Sequence, residues 1–107
     1  MGWKVIISPS AQADLEEIVR YAARRNSDAA LRLGYQLIVR AEAVAALPEM
    51  GRVVPEFQQP HLREVICRSY RVIYRLEKDQ QRIEVVRFWH GARGFPHIPN
   101  AAPHERG

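Results

Sequence analysis

The sequence predicts an α+β domain in which an N-terminal strand and a two-helix hairpin pack on a mainly antiparallel sheet, with elements in the order β-α-α-β-β-β. Two amphipathic helical periods separated by a short break occupy residues 9 to 47, and the runs after residue 61 are rich in Val, Ile, Tyr, Phe and Trp. A chain of 107 residues has room for one such domain. Its expected bounds are residues 1–99, with 100–107 as a flexible tail.

Trp3 to Ile7 is short, apolar and β-branched, which suits a strand. Ser8-Pro9-Ser10 follows; either serine can cap a helix, and Pro9 fits the first helical turn. Leu15, Ile18, Val19 and Ala22 then recur at helical spacing, with acids near the start and Arg24 and Arg25 near the end, as the helix dipole favours. Asn26-Ser27-Asp28 breaks that pattern, and Ser27 is positioned to cap a second helix with a stripe of Ala30, Leu33, Leu37, Ala41 and Val44. Pro48 stops it. So short a connection makes an antiparallel hairpin, and Gly34 allows close packing within it.

From Pro48 to Pro60, three prolines and no period predict a loop. Strands are expected at residues 62–68, 70–77 and 83–90. With a four-residue turn at Asp79 to Arg82, Leu76 lies opposite Val85, Tyr74 opposite Arg87 and Val72 opposite Trp89, collecting apolar side chains on one face. The other face then places Arg71 opposite His90 and Arg75 opposite Val86, with Phe88 nearby. Such a basic and aromatic cluster could contact phosphate or carboxylate, with His90 as a proton donor or acceptor; it could equally be the solvated outside of a sheet. Arg87, interrupting the apolar face, reads as a buried and satisfied arginine.

Hydrophobic residues at 47% and charged residues at 26% are those of a folded globular chain. No apolar run approaches the roughly 20 residues of a membrane span, and the N-terminus lacks a secretory pattern; both point to the cytoplasm. A single cysteine, Cys67, excludes an internal disulfide and reads as a small hydrophobe on a strand. His61, His97 and His104 show no metal-ligand spacing, so neither metal nor cofactor is expected. Glu16 with Glu17, and Glu77 with Asp79, read as solvated acids. The first 50 residues carry six basic and six acidic side chains, the remainder ten and six. Fourteen of the basic residues are Arg, which suits a planar contact with an acidic partner.

The ordered set of segments resembles the RelE/ParE superfamily of toxins from type II toxin-antitoxin modules over residues 3 to 94. The segments are Ser-Pro-Ser-Ala-Gln-Ala-Asp-Leu (8–15), Leu-Pro-Glu-Met-Gly-Arg (47–52), Leu-Arg-Glu-Val (62–65), Tyr-Arg-Val-Ile-Tyr-Arg (70–75) and Val-Val-Arg-Phe-Trp-His-Gly-Ala-Arg (85–93). Pro-x-x-Gly-Arg and the ending His-Gly-Ala-Arg are most similar to the ParE branch, whose members poison DNA gyrase. The resemblance implies a cognate antitoxin with an acidic C-terminal segment and, bound to it, an assembly of several chains, and leaves open whether the free toxin is a monomer. The RelE-like alternative cleaves mRNA on the ribosome. It implies Arg71, Arg75 and His90 as catalytic residues, with Glu56 a loose match for a loop acid, but the family's C-terminal Tyr has no counterpart because Gly91 follows His90. The binding set expected is Arg63, Arg71, Arg75, Phe88, His90 and Arg93. A toxin fold retained only for binding is the third reading.

Overall fold

The computed structural model describes residues 2–104. Its elements are strand β1 (Lys4–Ile7), helices α1 (Pro9–Ala23) and α2 (Ser27–Ala43), and strands β2 (Arg52–Val53), β3 (Leu62–Cys67), β4 (Tyr70–Glu77) and β5 (Arg82–His90). They form one sheet in the order β1-β5-β4-β3-β2, with β1 parallel to β5 and the other pairs antiparallel. The expected architecture is present with one addition, because the proline-rich loop contributes the two-residue strand β2.

Capping explains the helix boundaries. Ala11 donates its backbone N–H to Ser8 Oγ at 3.1 Å, and Pro9 occupies the first turn. For α2 the cap is Asn26, not Ser27: its Oδ1 accepts from the Ala29 backbone at 2.9 Å, because Asn26 is the residue in extended conformation before the first turn. The two helices interlock at Gly34, where an added Cβ would stand 2.9 Å from a Val19 methyl. Beneath them, Leu37, Ala41 and Val44 pack on Val65, Val72, Tyr74, Leu76, Ile83, Val85 and Phe88 of the sheet.

The β4–β5 register differs from the expected one in two steps. The turn comprises residues 78–81 and not 79–82, closed by the Glu77–Arg82 pair and by Gln81 in left-handed conformation (φ 47°), so Leu76 faces Ile83 and Tyr74 faces Val85. That shift of two residues keeps every side chain on its expected face. A bulge at Val86 then inserts one residue, after which Ile73 faces Arg87, Arg71 faces Trp89 and Tyr70 faces His90. Beyond the bulge the faces are exchanged: Phe88 belongs to the core under the helices and Trp89 to the opposite side.

That opposite side is not a solvated sheet surface. Val54 and Phe57 of the proline-rich loop and Ile98 of the C-terminal segment cover Leu62, Ile73, Val86 and Trp89 in a second apolar cluster, with Ala101 at its margin. The expected tail from residue 100 is, as far as residue 104, docked: Ala102 O accepts from Gln59 Nε2 and His104 donates its backbone N–H to Glu56 O. The rest of that tail lies outside the described residues.

The loop itself is fixed from the helix side by Tyr74, which donates to Pro48 O at 2.9 Å and accepts from the Gly51 N–H at 3.1 Å. An added Cβ at Gly51 would lie 2.5 Å from that hydroxyl and 2.6 Å from Glu64 O. The Pro-x-x-Gly-Arg segment thus has a structural explanation: Pro48 offers an acceptor, Gly51 permits the approach, and Arg52 pairs with Glu64. Gly51→Ala should lower unfolding stability by about 1–3 kcal/mol through overpacking, and Tyr74→Phe by about the same through an unpaired buried N–H. Urea unfolding of both variants checks this; wild-type midpoints would reject it.

Candidate functional site

Three arrangements of charged side chains bear on function, two engaged internally and one open. On the outer face, Glu64 is 1% exposed and takes two guanidinium contacts, Arg71 Nε at 2.6 Å and Arg52 Nε at 2.6 Å. Arg71 places its remaining nitrogens as a fork on Glu56, at 2.8 and 2.7 Å. These bonds raise the Arg71 pKa, that to Glu56 most, and the same bond lowers that of Glu56. Arg75 donates to Glu84 and to Pro99 O, both at 2.8 Å. Two strand arginines expected as an open cationic surface are therefore neutralised and half or fully buried.

At the end of β1 the parallel pairing stops and β5 continues with an open edge. Asp14 of α1 fills it. One carboxylate oxygen accepts the Phe88 backbone N–H at 3.0 Å, and the pair receives Arg87 as a fork at 2.7 and 2.6 Å. Arg87 also donates to His97 O at 2.9 Å and stacks 4.7 Å from the Trp89 ring centroid. The reading of Arg87 as a satisfied arginine holds, with Asp14 as its partner.

The third arrangement is a groove of about 490 Å³ between the C-terminal half of α1 and the ends of β4 and β5. Arg20, Tyr21, Arg24, Tyr70, His90 and Arg93 line it, over Ile18 and Phe88. Tyr70 and His90 meet edge to face at 5.1 Å. Burial, and secondarily Tyr21, pushes the Tyr70 phenol up. The Ala92 N–H donates to His90 Nδ1 at 3.0 Å, which leaves Nε2 as the ring's N–H donor.

The expected six-residue set does not converge. Arg71 and His90 project from opposite faces of the sheet, because the bulge moves His90 to the helix side and pairs it with Tyr70. Phe88 is buried in the main core. Arg63, opposite Tyr74 on the helix side, donates to the carbonyls of Pro60, Glu49 and Gly51 and so holds the loop. Arg93 is exposed and covers the Trp89 ring at 4.0 Å. Glu56 is adjacent to Arg71 as its salt-bridge partner.

Asp14 and Glu64 were not singled out by sequence reasoning, although each carried a signal. Asp14 lies between Ala11 and Ile18 on the apolar stripe, and Glu64 shares the strand parity of Leu62. An acid on a buried face implies a cation opposite it. Cys67 is half-buried, its thiol directed at Gln36 O. Among the described residues, no cluster of His, Cys, Asp or Glu could hold a metal ion, and no helix is long and apolar enough to cross a membrane.

The model for the ParE toxin of the type II toxin-antitoxin system parDE matches residues 5–95. Among solved structures, the chain is similar to one from the chromosomal ParDE toxin-antitoxin system of P. aeruginosa. That alignment has a TM-score of 0.68 and 16% identity and covers 82% of this chain and 95% of that one. A chain of the RelBE2 toxin-antitoxin complex from Mycobacterium tuberculosis gives a TM-score of 0.63 and 15% identity, covering 84% of this chain and 99% of that one. No curated protein sequence matches it.

The ion pairs set the acid limit of stability. Glu56 and Glu77, held below their ordinary value of 4.5 chiefly by Arg71 and Arg82, bind protons later than in the unfolded chain. Their stabilisation is complete above that value and is lost as pH falls through the lowered ones. Glu56→Gln should cost about 1–2 kcal/mol near neutrality, from a weakened charge-assisted fork, and should show a smaller loss on acidification. Urea unfolding at about pH 7 and about pH 3.5 tests both; an unchanged acid loss in the variant would exclude Glu56 as a contributor.

Proposed function

Since this chain belongs to the ParE family of type II toxin-antitoxin toxins, we propose that it arrests growth by binding DNA gyrase and trapping its cleaved DNA complex. In this reading it carries out no chemistry of its own and is neutralised by a cognate antitoxin. The observation that carries the non-enzymatic part is the separation of Arg71 from His90 across the sheet. General acid-base cleavage of a phosphodiester needs a proton-transferring group and charge-stabilising donors within reach of the same scissile bond. Here Arg71 and Arg75 face carboxylates on one side while His90 stands on the other with Nδ1 already engaged.

Of the residues first expected to bind, Arg93 and His90 are exposed, and to them we assign recognition. Arg63, Arg71, Arg75 and Phe88 we assign to the scaffold. Similarity to chains from ParDE and RelBE2 complexes supports an antitoxin partner.

Toxin freed from its antitoxin and added to gyrase should depress supercoiling and accumulate cleaved DNA. Unimpaired supercoiling would reject the gyrase reading. Codon-linked cuts in translated messages that disappear in His90→Ala would replace it with ribosome-dependent ribonuclease activity, and absence of growth arrest on induction without the antitoxin would leave a binding module.

A further inference from the structure

The two ends of the sheet are finished differently. At one end β2 is only two residues long and runs into Val54 and Pro55; a short strand beside a proline offers little backbone to another chain. At the other end β1 lends one side to β5 and leaves the second side open. Lys4 donates its backbone N–H to Gln81 O, and Ser8 donates its own to Val85 O, so residues 4, 6 and 8 turn their backbone groups toward β5. By alternation Val5 and Ile7 turn theirs outward. Gln12 Nε2 donates to Ile7 O at 2.8 Å, which uses one of that oxygen's two lone pairs. The N–H groups of Val5 and Ile7 and the Val5 carbonyl have no such cap among the described residues.

The side chains of β1 show the same contrast. Trp3, Val5 and Ile7 pack on the main core, while Ile6, of the opposite parity, belongs to neither apolar cluster. It is half-buried, and its neighbour across on β5 is Glu84, the acid that pairs with Arg75. A large apolar side chain in that position has no apolar cluster of its own chain to join.

We infer that β1 pairs with β1 of a second copy of this chain, antiparallel and about a two-fold axis at Ile6. The outward residues 5 and 7 lie symmetrically about residue 6, so a copy turned about that axis presents the matching set. Val5 of each chain exchanges N–H and C=O bonds with Ile7 of the other, about four bonds in all. Ile6 then meets its own counterpart at a non-hydrogen-bonded position, where Cα atoms stand about 4.5 Å apart and side chains touch. Lys4 falls opposite Ser8, so no like charges oppose each other. Sliding the pair by two residues would set Ile6 against Lys4 and expose it again. An unrelated strand could bond the same backbone groups; the symmetric placement of the outward residues and the apolar side chain at its centre select a second copy. Nothing in this pairing rests on the toxin reading.

The test uses the full untagged chain, freed from any antitoxin. Its mass by sedimentation equilibrium should rise with concentration toward twice the monomer's, as a weak, small interface dictates. Ile6→Lys sets two ammonium groups face to face and should raise the dissociation constant on the order of tenfold or more. Its urea midpoint should match wild type, because residue 6 lies outside both clusters; should it fall instead, cysteine variants decide the question. In a Cys67→Ala background, Ile6→Cys should oxidise to a disulfide-linked dimer, since the Cα separation at that position suits the bond. Lys4→Cys, exposed on the same strand, should remain a monomer under the same oxidant. A monomeric mass up to about 1 mM, a dimer that Ile6→Lys leaves intact, or cross-linking of Lys4→Cys equal to or faster than that of Ile6→Cys would overturn the inference.

Discussion

The arrangement of this molecule depends on how the open edge of β5 is satisfied once β1 ends. A sheet edge with unpaired N–H groups beside a helix must find acceptors, and Asp14 supplies one to Phe88 while fixing Arg87 in a forked pair. That contact joins residues 73 positions apart in sequence and ties the first helix to the sheet just past the Val86 bulge. With the bulge in place, every later side chain of β5 lies on the face opposite to the one simple alternation gives. The location of His90, the burial of Phe88 and the exposure of a groove at the end of α1 all follow from it.

Much of the fold was legible in the sequence because the responsible signals are local. The helices announce themselves through caps and a 3.6-residue stripe, and the strands through β-branched and aromatic runs. The hairpin register was not legible, since turns at residues 78–81 and 79–82 both align apolar partners for Leu76; the observed one has Gln81 in left-handed conformation and the Glu77–Arg82 pair across it. A bulge leaves no compositional mark when the inserted residue is a valine among valines. The adjacent pairs Val72-Ile73, Val85-Val86 and Phe88-Trp89 did carry information: consecutive apolar residues on a strand indicate that both faces are covered, as they are here.

The candidate site illustrates the limit of counting charges. A surplus of arginine in the second half suggested a cationic strand surface, but charge visible to a partner is what remains after internal pairing. A buried carboxylate such as Glu64 must be matched by cations because its desolvation is costly otherwise, so strands that bury acids recruit the nearest guanidinium groups. Sequence composition cannot separate those from Arg20 or Arg24, which stay exposed and form no ion pair with any described residue.

The docked segment after Gly94 alters how the molecule must be handled. Ile98 closes the apolar cluster above Trp89, while the carbonyls of His97 and Pro99 complete the bonding of Arg87 and Arg75. A protein shortened to its last strand would uncover that cluster and take one acceptor from each of two guanidinium groups, Arg87 keeping Asp14 and Arg75 keeping Glu84, producing a sticky patch where the intact chain is smooth. Recombinant tags therefore belong at the amino end, where β1 already lies on the outside edge of the sheet.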